Sequence, residues 1–449
     1  MFANNLKKSI SGNKVLLVIL VISFSLSIFY SFHFKIEPAV DARAYDDIAV
    51  NLISGNGYRE IAGTDLALDN AIVRIGPFYE YFLAITYKLF GHHLEVVWIL
   101  QAILHALSAY LVYLICLLIF AGSSSGKKIG LWAAAILGLY PDLIEISAML
   151  LTETFYIFFT CLVLYLFFLY IKTGGLKTFL LLSFVSGVAI LVRPPLVLFL
   201  PVIFFYLYRK KEWRKAVLMT FTIILVFLPW TIRNYNVYKE IMPLGVAGPF
   251  NFWIGNFVGA NGEQNAGQEI LDYTAVHKPA EYSKESMKRF TSFVLEHPRE
   301  FTKLTLLRMN KYFSIIRPMG FWFYSKGWEK AAFIASSTLF SFFVFIFGSG
   351  GIVYYLRRND NHLLKYLLAF TVATPLLIFI TVVETRYRFQ IYPLLAVFCA
   401  YFVNIIMENK TYWSKSFALG SLIILSNGLA DLYLSLDKFK ERFLNTFLS

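Results

Sequence analysis

The chain has 449 residues, of which 58% are hydrophobic and 15% charged, with a formal net charge of +13. That balance excludes an ordinary soluble globular domain. Its three cysteines, Cys116, Cys161 and Cys399, fall in apolar runs without metal-ligand spacing, which argues against a disulfide framework or a zinc site.

Apolar runs of about 20 residues recur along the chain, each long enough to cross a ~30 Å hydrocarbon core. In order they fall near 14–33, 94–121, 127–147, 148–171, 176–192, 195–209, 214–231, 330–356, 362–382, 389–407 and 413–435. The expected architecture is an all-α polytopic membrane protein of about 11 transmembrane helices, a single unit over 1–449. The first run is too long for a secretory h-region and no small-residue cleavage site follows it, so it reads as an uncleaved span. The fifth and sixth are short and separated by Pro194 and Pro195.

The basic excess has an address. Lys7, Lys8 and Lys14 precede the first span, which places the N-terminus in the cytoplasm. Counting crossings from there, the cytoplasmic connections are GSSSGKK, KTGGLK, YRKKEWRK, LRRNDNHLLK and MENKTYWSK. Each carries Lys or Arg, and of the 28 acids they hold only Glu212, Asp360 and Glu408. The charge is therefore a topology signal rather than a nucleic-acid footprint. Two large extracytoplasmic loops remain, 34–93 and 232–329.

The first outer loop begins EPAVDARAYDDIAVNLISGNGYRE. Val40, Ala44, Ile48 and Leu52 are spaced by four and predict a short surface helix, with Asp46, Asp47 and Asn51 turned away. Asp41 stands where its N-cap would be, and a capping role alone would account for it. RIGPFYEYFLAITYKLFG, from Arg74, predicts a second interfacial helix. HPREFTKLTLLRMNKYFSIIRP predicts a third, with Phe301, Leu304, Leu307 and Tyr312 against Arg299, Lys303, Arg308 and Lys311.

Further polar residues fall at outer ends of spans. Glu153 in MLLTETFY is a paired or functional acid, or one that snorkels to the interface. Arg193 in ILVRPP, and Arg386 and Arg388 in ETRYRFQIYP, run against the positive-inside rule. A phosphate would compensate them, because guanidinium matches its oxygens bidentately. GPFNFWIGN mixes amides and aromatic rings, which suits a sugar or an ordinary Gly-rich turn region. His105, in mid-span, reads as a packing histidine.

DARAYDDIAVNLISGNGY, LLTETFY, LVRPP, LPWTIRNY leading into GPFNFWIGN, and ETRYRFQIYP occur in this order and on one expected face. Together, over roughly 14–400, they resemble the GT-C glycosyltransferases that use polyprenyl-phosphate sugars. The resemblance is to the branch of bacterial aminoarabinose transferases and dolichyl-phosphate-mannose protein mannosyltransferases. It implies a bacterial inner-membrane enzyme that moves a sugar from an undecaprenyl-phosphate-type donor, with inversion, to an extracytoplasmic glycan, lipid or protein. It implies catalytic roles for Asp41 and Glu153, and donor-phosphate contacts from Arg386, Arg388, Arg193 and Arg74. Substrate contacts fall to Tyr45, Asp46, Tyr58, Asn251, Trp253 and Asn256. No cofactor is required by that chemistry, although Asp41 and Glu153 could hold a divalent metal.

This sequence departs from the mannosyltransferase pattern in having Ala42, not Glu, after Asp41. An O-antigen ligase or polymerase is a rival reading, though it would not need an acid-bearing loop after the first span. A lipid-linked glycan transporter is another, and would show inverted repeats. The topology makes a direct prediction. Thiol labelling from outside should reach cysteines introduced at 60 and 260 but not at 125, and the reverse pattern would invert the orientation.

Overall fold

In a computed structural model the described residues are 13–315, 324–359 and 361–436; Lys7, Lys8 and Asp360 lie outside them. Helix α1 (Lys14–Phe34) starts where the Asn13 side chain accepts the Leu16 N–H at 3.3 Å. Its buried face is a row of Ser23, Ser27 and Ser31, while Val18, Val21 and Phe29 point outward. That pattern is expected in lipid, where small residues allow close helix contact and apolar ones face the acyl chains.

The segment 34–93 carries α2 (Asp41–Ile53) and α3 (Phe78–Phe90). In α2, Ala44 and Ile48 are buried as expected. Val40 is exposed instead, and Asn51 turns inward to donate to the carbonyls of Arg59 and Glu60 at 3.1 and 3.0 Å. There follow α4 (Leu94–Ile119), α5 (Gly126–Gly138), α6 (Pro141–Ser147), α7 (Glu153–Thr173), α8 (Leu176–Val192), α9 (Phe199–Arg209) and α10 (Trp213–Tyr238). Helices α5 and α6 form one apolar stretch bent by 55°, with Pro141 opening the second part. In α4 the His105 ring pairs with the Gly138 carbonyl at 3.1 Å, a packing role.

The long segment between α10 and the next apolar span, here called the second loop, contains α11 (Ala247–Gly255), α12 (Gln268–Val276), α13 (Tyr282–Glu296) and α14 (Pro298–Tyr312). The remaining elements are α15 (Gly327–Arg358), α16 (Leu364–Ala373), α17 (Leu376–Ile380), a 3-10 segment (Thr385–Ile391), α18 (Tyr392–Met407) and α19 (Trp413–Leu434). Among the described residues, seven helices are long and apolar enough to span a membrane, or eight with the bent α5–α6 pair. The stretches 176–192, 194–209 and 364–380 are apolar but shorter, so a count of eleven requires these also to cross. The apolar stretches of α4, α7 and the one ending in α18 are 61, 78 and 89% enclosed and form the centre.

The break between α17 and α18 leaves backbone without helical partners, which hydrocarbon does not tolerate unless protein covers it. The second loop supplies the cover. Asn256 donates to the Ile380 carbonyl at 2.9 Å, and the Val383 N–H donates to the Gly262 carbonyl at 3.0 Å. Arg308, fully buried, reaches the Phe379 carbonyl at 3.2 Å, the Asn256 side-chain oxygen at 3.1 Å and the Gly255 carbonyl. Its guanidinium thus sits on the negative ends of α11 and α17, where a cation is favoured. Arg308 and Lys311 therefore point inward rather than along the wet face of α14, where the pattern had placed them. Gly255 has no room for a side chain: a Cβ would lie 1.8 Å from the Thr381 carbonyl oxygen. Asn310 and Asn427 exchange amide hydrogen bonds at 2.8–3.0 Å and tie α14 to α19.

Arg308→Met should lower the melting temperature of the detergent-purified protein, at about 1–3 kcal/mol for each buried acceptor left unpaired. Gly255→Ala should do the same by forcing α11 off Thr381. Unchanged melting in both would mean that the loop does not hold the break.

Candidate active site

Five segments meet at one end of the bundle. Asp41 is the first residue of α2, whose N-cap is Val40, a β-branched residue at φ 51°. The Asp41 carboxylate does not cap the helix. It accepts from Arg74 Nη1 at 3.1 Å and from Arg386 Nη2 at 3.0 Å. Arg74 in turn binds Glu60 through two parallel bonds, 2.7 and 3.2 Å. Arg386, in the 3-10 segment after the break, also binds Glu384 at 2.8 Å and stands 3.9 Å from Glu153. Glu153 opens α7, is 2% exposed, and pairs with Arg193 at 2.6 Å. Arg193 caps α8 just before Pro194, its guanidinium against the rings of Tyr156 and Tyr387 at 5.4 and 5.8 Å.

Carboxylates and guanidiniums thus alternate in a row from Glu60 to Arg193. On the Asp41 and Arg386 side lies a cavity of about 410 Å³, lined also by Glu37, Gln264 and Glu384. On the Arg193 side lies a narrower, mainly apolar groove of about 90 Å³ with Ile75, Tyr156, Asn251 and Tyr387 in its walls. The row joins a wet chamber to an apolar slot. Such a junction can hold a phosphate on guanidiniums, an apolar chain on one side and a hydroxyl compound beside a carboxylate on the other.

Of the residues singled out in the sequence, Asp41, Glu153, Arg74, Arg193 and Arg386 are brought together, and Asn251 lines the groove. Arg388 is not at the cluster. Two residues past Arg386 it points the other way, fully buried, donating to Tyr392 Oη at 2.8 Å and the Ser314 carbonyl at 2.6 Å. Asp46 accepts from Tyr87 and pairs with His92 at 2.6 and 2.9 Å. Tyr45 packs edge-on to Tyr79, and Tyr58 edge-on to Trp230 and under Arg233. Trp253 packs on Tyr273, and Asn256 holds backbone as described above. Glu384, Glu60, Glu37 and Gln264 were not singled out. Glu384 carried a signal, since an acid two residues before Arg386 shares its motif.

In this structure Asp41 and Glu153, the two carboxylates that a divalent metal would use, are both paired with arginine. Guanidiniums stand against both carboxylates, and a cation would have to displace them. Among the described residues no three Asp, Glu, His or Cys gather as a metal site.

Beneath Arg74, Glu80 of α3 is fully buried, and its carboxyl lies so close to Gly76 that a Cβ there would meet it at 2.4 Å. Burial pushes the Glu80 carboxyl up to about 8.

With the geometry in hand, comparison with known proteins defines the class. The fold is similar to that of the Archaeoglobus fulgidus oligosaccharyltransferase in its apo form, at 15% identity and TM-score 0.56, covering 93% of this chain and 55% of that one. It is similar to AglB from the same organism in complex with an inhibitory peptide and a dolichol-phosphate, at 13% identity and TM-score 0.51, covering 93% and 54%. It is similar to ArnT from Cupriavidus metallidurans bound to undecaprenyl phosphate, at 12% identity and TM-score 0.50, covering 95% and 72%. The chain spans about half the length of the oligosaccharyltransferase chains. No curated protein matches the sequence.

By fold the chain is similar to these membrane proteins, with seven or eight helices among the described residues long and apolar enough to span a membrane. Residues 75–232 match the model of the dolichyl-phosphate-mannose-protein mannosyltransferase family, so the resemblance read from the motifs holds in both sequence and fold.

Glu80 generates a pH prediction. Its folded-state value lies above the ordinary value of 4.5, so the unfolded chain releases this proton first. The contribution of Glu80 to stability therefore declines as pH rises from about 4.5 to about 8. Melting temperatures from pH 5 to pH 8 should fall more steeply for the native protein than for Glu80→Gln. Parallel curves would remove Glu80 as the source.

Proposed function

We propose that the protein is a glycosyltransferase that moves a sugar from a polyprenyl-phosphate donor to an extracytoplasmic acceptor hydroxyl or phosphate, with inversion. We place it in the bacterial inner membrane with its N-terminus inside. One observation carries the reading: a single guanidinium, Arg386, faces Asp41, Glu384 and Glu153 where a polar cavity meets an apolar groove. The printed ligands of two fold neighbours, undecaprenyl phosphate and a dolichol-phosphate, are of the donor class proposed.

In this reading the polyprenyl chain enters the groove and the donor phosphate displaces carboxylates from Arg386 and Arg193. Asp41, freed from Arg386 but still oriented by Arg74, takes the proton of an acceptor hydroxyl in the cavity. The acceptor oxygen bonds to the anomeric carbon from the face opposite the phosphate. The carbon–oxygen bond to phosphate breaks and its electron pair leaves with the polyprenyl phosphate. The arginines stabilise the charge that develops there. Glu153 holds Arg193 and Arg386 in register across the partition.

Purified protein incubated with polyprenyl-phosphate sugars and an acceptor extract should release free polyprenyl phosphate. Asp41→Asn should cut turnover by about 10²-fold or more, the scale of a lost general base, with donor binding intact. Arg386→Lys should weaken donor binding by about tenfold, because lysine offers a point charge in place of a planar fork. Near-normal turnover in Asp41→Asn would transfer the base role to another carboxylate. Donor affinity unchanged in Arg386→Lys would move the phosphate elsewhere.

A further inference from the structure

The cavity beside Asp41 has a charge as well as a shape. Its polar lining is Glu37, Asp41, Gln264, Glu384 and Arg386, set against an aliphatic wall from segments 36–40 and 149–151. Arg386 is its only cation among the described residues and faces three carboxylates. Counting the ion-pair partners behind the lining, Asp41, Glu60, Glu153 and Glu384 pair with Arg74, Arg193 and Arg386, and Glu37 lines the chamber besides. Among the described residues, five negative groups stand against three positive ones. Glu37 is exposed to the chamber, and Lys35, two residues earlier, does not line it.

We propose that this chamber takes an uncharged hydroxyl acceptor and rejects a phosphate-bearing one. The inference rests on the glycosyl-transfer reading above and narrows its acceptor. The donor would bring its own phosphate to Arg386 and Arg193, consuming the cations nearest the chamber. An anionic acceptor would then meet Glu37, Asp41 and Glu384, with the one lining guanidinium, Arg386, on the donor phosphate and Arg74 held by Asp41 and Glu60. Like charges gathered in a partly enclosed chamber disfavour an anion, and discrimination of this kind comes from repulsion as much as attraction. A neutral glycan hydroxyl has no such penalty, and carboxylates are good acceptors for its O–H groups. The aliphatic wall suits the apolar part of a lipid-linked or alkyl-linked acceptor.

The test reads the chamber without relying on turnover. Val40 lines it and is 81% exposed, so Val40→Cys gives an accessible thiol, and the three native cysteines are buried. The rates of a cationic and an anionic methanethiosulfonate of matched size should differ by roughly tenfold in favour of the cation, relative to a free thiol. Adding Glu37→Gln should reduce that ratio. Next, a neutral alkyl glycoside and its phosphorylated counterpart compete with an uncharged maleimide for the same thiol. The neutral compound should protect at concentrations at least about tenfold lower. Equal or better protection by the phosphorylated compound, protection by neither, or a rate ratio favouring the anion would each overturn the proposal. Failure of the parent reading would appear separately, as absence of donor binding and of polyprenyl-phosphate release with the thiol results intact.

Discussion

Arg386 is the group on which the site depends. It lies on irregular backbone after a broken helix and reaches an acid from the first outer loop, Asp41, and one from its own segment, Glu384. A third, Glu153, stands at the head of a central helix. One planar cation thereby sets the relative positions of elements more than 300 residues apart in the chain, Asp41 and Arg386 being separated by 345. Three carboxylates brought together without it would repel one another and resist burial. With it, and with Arg74 and Arg193 flanking, they form a row of alternating sign.

That arrangement needs backbone that is not helical, and such backbone needs partners. The second loop provides them through Asn256, the Gly262 carbonyl and the buried Arg308. Arg308 has no carboxylate within ion-pair distance among the described residues. The helix ends it covers supply partial negative charge instead. The loop thus acts on the site through the backbone leading to Glu384 and Arg386, and its aromatic residues serve mainly to pack it. Trp253 shows the packing, edge-on to Tyr273, and Asn256 the backbone support, holding the Ile380 carbonyl.

The same polar row explains the arginines that the topology signal left over. Cations at this end run against the charge bias of the chain, but Arg74, Arg193 and Arg386 are each met by an acid. The acids of the first loop and the arginines of the late spans are one system, divided by sequence and joined by the fold. It separates a chamber rich in carboxylates from a groove rich in apolar and aromatic side chains, two environments that suit the two ends of an amphipathic donor.

Hydrophobic run length is a local property, so the sequence by itself determined the membrane class and the short helices at 41–53, 78–90 and 298–312. It also determined the resemblance, because its motifs are contiguous strings. It did not separate Arg386 from Arg388. Both sit in one five-residue motif, and only the 3-10 path of that segment sends one toward Asp41 and the other toward Tyr392. Nor did it decide between capping and pairing for Asp41, since Asp at a helix start serves either, and the choice waited on Arg74 and Arg386 arriving from distant segments. The inward turn of Arg308 was hidden for the same reason. Helical spacing ranks a residue as wet or dry by its type, whereas a buried guanidinium is decided by which carbonyls lie within its reach.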